Sequence, residues 1–249
     1  TTRQLLQLFD EAHGGRTPNE RVWNKEGRFY DALRPSVDPV GQDSAETVLA
    51  LRAQHLEAVR RMFADLDVFV FTMGLTEGWE NTEDGTMFAV APGTVAGTHD
   101  PSKHVFRNLR TAEIRSDMLV LWERLRAVNP RARMLLTVSP VPLAATATQN
   151  HVLVATTYSK SVLRAVAGEL SEEVDDIYYF PSYEIVSSHP GRGMFYEPDL
   201  RNVNLFGVNY VMNHFFSGCL AAEFGGHTTA DPEEGLELIC DEEKLDNSK

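Results

Sequence analysis

The chain has 249 residues, 43% hydrophobic and 24% charged, enough to bury a full core in one domain. Its formal charge of −13 at pH 7 excludes nucleic acid or an anionic membrane as the main partner, because phosphates need a basic patch. No apolar run reaches the ~18 residues of a membrane span, and two cysteines without close spacing give neither a zinc signature nor a disulfide framework, which predicts a cytoplasmic setting.

In chain order, "TTRQLLQLFDEA" predicts a short helix. Thr1 or Thr2 caps it, Leu5, Leu6, Leu8 and Phe9 form its apolar face, and Gly14-Gly15 stops it. Residues 16–43 carry three prolines and three aromatics and read as an ordered irregular segment. "SAETVLALRAQHLEAVRRMFADL" is a helix capped by Ser44. "DVFVFTM" is a buried strand ended by Gly74. Residues 78–110 are mixed, with "TMFAVAP" as a short edge strand and "GTVAGTHDPSKHVFRNL" as loop. "TAEIRSDMLVLWERLRAVNP" is a helix ended by Asn129-Pro130. "ARMLLTVSPVP" and "DIYYFPSYEI" are strands with prolines at their ends, separated by the helix "HVLVATTYSKSVLRAVAGEL". "NLFGVNYVMNHFFSGCL" is the last helix, with Cys219 as a buried helix residue. From Asp231 onward the chain has eight acids against two lysines, the composition of a solvated tail at 231–249.

The alternation of helix and strand predicts an α/β fold, a three-layer α/β/α sandwich with a parallel sheet, as one domain over 1–230. In such sheets ligands sit at the carboxyl ends of the strands. Gly74–Glu77, Ser139–Pro142 and Pro181–Glu184 should therefore converge on one rim. Three parallel strands are few for this architecture, and the chain opens directly on a helix pattern, so a first βα unit is expected upstream of Thr1.

Gly74-Leu75-Thr76-Glu77 can place a backbone N–H and a hydroxyl where an oxyanion develops; the plainer reading is a tight turn with Glu77 in solvent. In "YEPDLRNVN", Asp199 can orient a base, pair with Arg201, or belong to a helix entry capped by Asn202 or Asn204. Ser139, Ser182, Tyr183 and Glu184 lie at strand ends but in no Gly-x-Ser-x-Gly elbow, so they read as substrate walls or ordinary turns. His99, His104, His151 and His189 lie in loops or at helix starts, at no metal-ligand spacing. Lys160 is either a helix-surface residue or a contact for an anionic substrate group. Without a Gly-rich phosphate loop, neither cofactor nor metal is expected.

"FTMGLTEGWE", "NPRARMLLTVSPVPL", "YSKSVLRAVA" and "YFPSYEI", in that order, resemble the GSCFA family, a bacterial branch of the SGNH/GDSL-type hydrolases, over most of residues 1–217. The resemblance implies a flavodoxin-like sandwich and ester chemistry, as an esterase or O-acyltransferase on a small molecule or carbohydrate. The Gly-Ser-Cys-Phe-Ala motif whose serine is the family's nucleophile does not occur, so the resemblance implies an inactive chain that begins downstream of it. It places Gly74 and Thr76 at the oxyanion hole, with Thr76 where related enzymes have asparagine. It makes Asp199 the acidic partner and puts Asn202 in the place of the histidine base, so that either another histidine, such as His189, swings in or the chain does not hydrolyse esters by the usual route. An amide has no pKa near neutrality and cannot take and return a proton. The rival expectation is a non-catalytic module that keeps the cleft for a glycan or acyl ligand. A third is a scaffold that joins other chains, a second copy included, through an exposed sheet edge.

Overall fold

A computed structural model describes residues 1–220 of the chain, with side chains through Gly218. The side chain of Cys219, and Cys240 with the acidic segment from Asp231, lie outside the described residues, and so do the expectations attached to them.

The first helix, α1 (Thr2–Ala12), starts in a capping box: the Thr1 hydroxyl accepts the Gln4 N–H and the Gln4 side chain answers the Thr1 backbone. Residues 16–43, expected to be irregular, contain an antiparallel hairpin, β1 (Val22–Lys25) and β2 (Arg28–Asp31). Its turn is Glu26-Gly27, both at positive φ, the geometry that matches strand twist. Helix α2 (Ala45–Asp65) follows, with Ser44 accepting the Thr47 N–H at 3.2 Å.

Three parallel strands form the sheet that positions the site: β3 (Val68–Met73), β7 (Arg133–Val138) and β8 (Ile177–Tyr179), in the order β3-β7-β8. Between β3 and β7 come β4 (Glu77–Asn81), β5 (Met87–Phe88) and β6 (His104–Asn108), a separate antiparallel sheet, and then helix α3 (Thr111–Val128). The segment containing β6 was expected to be loop. "HVFRN" has no polar–apolar alternation to mark it as a strand; β6 is fixed by its pairing with β4, from Glu77↔Asn108 to Asn81↔His104.

Helix α4 (Val152–Glu173) connects β7 to β8 and lies over both. The third strand stops at Tyr179, short of the expected length. Pro181 cannot donate to a ladder, and Ser182–Ser187 coil instead into a short helix, α5, followed by α6 (Leu205–His214). The cap of α6 is Asn204, whose Oδ1 accepts the Gly207 N–H at 2.8 Å.

Helices flank the sheet, the arrangement of an α/β/α sandwich. On one face α1 packs between α2 and α3, and α3 beside α4. Phe9, Phe63, Met73, Leu121, Leu136 and Leu163 meet there in a single buried cluster. On the other face α5 packs against β7, and α6 against α5. The central strand β7 is buried from Met134 to Val138. "DVFVFTM" is buried on one face only: Phe69, Phe71 and Met73 pack on the core, whereas Val70, on the opposite face, is 49% exposed.

Candidate active site at the sheet rim

The carboxyl tips of the three strands share one edge because the strands are parallel. The tips are also bonded to one another. The Ser139 N–H donates to the Met73 carbonyl at 3.0 Å, and the Phe180 N–H to the Leu136 carbonyl at 2.8 Å. The buried Ser182 hydroxyl donates to the Val138 carbonyl at 3.0 Å and also meets the Thr137 hydroxyl. Gly74, Ser139 and Pro181 therefore stand side by side, as expected from the helix–strand alternation.

The turn after β3 is clamped from within. Thr76 is fully buried; its N–H donates to Ser159 Oγ at 3.1 Å and its hydroxyl to Asn108 Oδ1 at 2.7 Å. The Thr76 carbonyl accepts the Leu109 N–H at 2.8 Å. The Thr76 hydroxyl and N–H thus both face inward, so of the donors expected from Gly74–Glu77 the hydroxyl is taken. The Lys160 ammonium, on a residue only 1% exposed, donates to the Gly74 carbonyl at 2.9 Å. Lys160 is accordingly neither a helix-surface residue nor an open substrate contact. Ser159 and Asn108 were missed by reading the sequence. The signal for Ser159 was there: it sits on the buried stripe of α4 with Ala155, Val162 and Val166, where a hydroxyl must find an internal partner.

Glu77 is half-buried and accepts the Thr146 hydroxyl at 2.8 Å. Ser139 is half-buried, with its oxygen accepting the Val141 N–H at 3.2 Å. Tyr183 packs against the main core, and burial, with Glu184 beside it, raises its phenol above the ordinary value.

The segment carrying Asp199 is tied to the rim by Tyr196, whose hydroxyl donates to the Pro140 carbonyl at 2.9 Å and lies 2.6 Å from the Ser187 hydroxyl. Burial holds the Tyr196 phenol above its ordinary value, so it stays a donor. Asp199 itself is exposed and turned onto its own loop. It accepts the N–H groups of Arg201 and Asn202 at 2.8 and 3.0 Å and the Asn202 amide Nδ2 at 2.8 Å. The two backbone bonds and the Asn202 amide hold its carboxyl below the usual range. No imidazole contacts Asp199 among the described residues. His189 opens an exposed single turn, His189–Gly191.

The other candidate histidines have local duties. His104 is buried at the start of β6; its Nδ1 accepts the Asp100 N–H at 3.0 Å, so Nε2 carries the proton toward Glu20 Oε1, 2.8 Å away. His151 caps α4, and His99 sits edge-on to Trp79. A cavity of about 300 Å³ lies away from these groups, along α1, with Leu5, Leu8, Phe71 and Met87 beside Arg34 and Arg52. Among the described residues no cluster has metal-binding composition, and no helix is long and apolar enough to cross a membrane.

The model of the GSCFA family matches residues 1–215. No curated protein and no solved structure matches the chain.

Proposed function

The chain belongs to the GSCFA family, and from that premise we propose that the rim handles an ester, making the protein an ester hydrolase or O-acyltransferase for a small molecule or carbohydrate. The observation that carries this reading is the clamped turn Gly74–Thr76, fixed by Lys160, Ser159 and Asn108 at the tip of a parallel strand. A turn held on several sides does not reorganise as charge develops on a substrate oxygen, which is what electrostatic stabilisation of acyl transfer requires. Gly74 supplies the backbone of the oxyanion site, and Thr76 fixes its shape. Ser139, Tyr183 and Glu77 border the substrate, and Asp199, on the segment that Tyr196 ties to Pro140, is the acidic partner.

A second reading, a non-catalytic module for a glycan or acyl ligand, is favoured by one contact. Asn202 Nδ2 donates to Asp199 at 2.8 Å, filling with an amide the place of a base. Hydrolysis of p-nitrophenyl acetate and butyrate by the protein carrying a Gly-Ser-Cys-Phe-Ala segment ahead of Thr1, with and without Asp199→Ala, separates the two. The enzyme reading expects a loss on the order of 10²-fold or more in the variant, the scale of acid–base assistance. Equal rates in the two proteins would rule it out and leave the binding module.

A further inference from the structure

We propose that the cavity along α1 binds a medium-chain carboxylate, with its apolar chain against Leu5, Leu8, Phe71 and Met87 and its head on Arg34. The site lies off the rim, and the inference stands independently of the ester reading. At about 300 Å³ the cavity falls at the lower end of small-molecule sites. It has room for about ten non-hydrogen atoms, at the ~30 Å³ that a water molecule takes in the liquid. Its apolar walls come from α1, β3 and β5 and offer no partners to the hydroxyls of a sugar. In such a pocket a small number of polar groups fix the ligand's orientation.

The polar lining carries one sign of charge. Arg34 and Arg52 line the cavity and no acidic residue does, although the chain has 36 acidic residues against 23 Lys and Arg. Arg52 is committed to Glu11 and Asp31. Asp31 is thereby occupied: its Oδ2 accepts Arg52 Nη1 at 3.2 Å and its Oδ1 the Leu33 N–H at 2.9 Å. Arg34 is left with one side-chain bond, from Nε to the same Oδ2 at 3.5 Å, longer than a sound hydrogen bond. Its Nη groups meet no acceptor among the described residues, and neither does Gln4 Nε2, whose Oε1 is taken by Thr1. Gln7, by contrast, is closed at both ends by Gly85 and Met87. His55, one turn after Arg52 on α2, reports the local field. Its pKa is held down by burial and then by Arg34 and Arg52, ahead of the opposing Asp31 and Glu11. A planar fork with free donors beside an apolar cavity matches a carboxylate on a hydrocarbon chain.

The test is calorimetric titration of the full chain with sodium octanoate, and with octanamide as the uncharged molecule of the same shape. Saturable octanoate binding is expected, with a negative heat-capacity change from apolar burial. Octanamide should bind about tenfold or more weakly, having lost the charge-assisted bonds. Arg34→Met should bring octanoate down to the octanamide level and leave octanamide unchanged. Ala89→Phe, at a lining position that is exposed, fills the opening without touching the core and should remove both ligands. Should one variant fail to fold, the other decides. Absence of octanoate binding, equal affinity for octanoate and octanamide, or octanoate binding unchanged in a folded variant overturns the inference. Ester turnover, present or absent, bears on the rim alone.

Discussion

At Asp199 and Asn202 the chemistry comes down to one atom pair. The carboxylate is held by its own loop, and its pKa is lowered by the Arg201 and Asn202 N–H groups. A lowered folded value means that the turn's contribution is present above the unfolded Asp value of ~3.9. It is lost as pH falls through the lower folded value. The Asn202 side-chain amide signal should therefore hold its position down to about pH 4 and move below it, read by NMR titration. Asn202→His would set an imidazole against the same carboxylate, raising its pKa above the usual ~6.5. That pair would be formed below ~6.5 and lost as pH rises through the higher folded value, again visible by NMR. For these residues the sequence showed identity and rough neighbourhood. It did not give orientation, because Asp199 can equally face a cleft or its own turn, and only packing chooses.

Among the elements, the rim is assembled by polar side chains that cross between segments far apart in the chain. Thr76 joins β3 to α4 through Ser159 and to β6 through Asn108. Thr76→Val keeps the shape and leaves Asn108 Oδ1 without its donor. It should cost about 1–3 kcal/mol in chemical denaturation. Tyr196→Phe removes the link to Pro140 and should cost about 1 kcal/mol. Amide exchange should quicken over residues 188–203 and leave β7 protected. The strands β3 and β7 and the helices α2, α3 and α4 were legible because their apolar residues recur at regular spacing over long runs. The hairpin β1–β2, strand β6 and helix α5 were not. Each is short, and each is decided by a partner elsewhere or by one residue, as Pro181 ends β8.

On the scale of the whole molecule, buried charge ties the N-terminal elements together. Arg52 on α2 bonds Glu11 on α1 (Nε to Oε1, 3.0 Å) and Asp31 on β2 (Nη1 to Oδ2, 3.2 Å), and its side chain is 6% exposed. Arg52→Met leaves Glu11 without its cation and Asp31 with Arg34 alone, and should destabilise by about 3–5 kcal/mol. The melting temperature should fall by roughly 6–20 °C in calorimetry.

The sequence by itself determined the α/β class, the parallel strands and the edge where their tips emerge, since these follow from local periodicity and the handed geometry of the chain. Only the tertiary structure decided that Thr76 looks inward, that Lys160 lies buried behind Gly74, and that Asp199 holds its own loop. A polar side chain carries no periodic signal of direction. Its bonding is set by whichever unsatisfied group packing brings within reach: for Thr76 and Lys160 that group stands dozens of residues away along the chain, for Asp199 in the next turn.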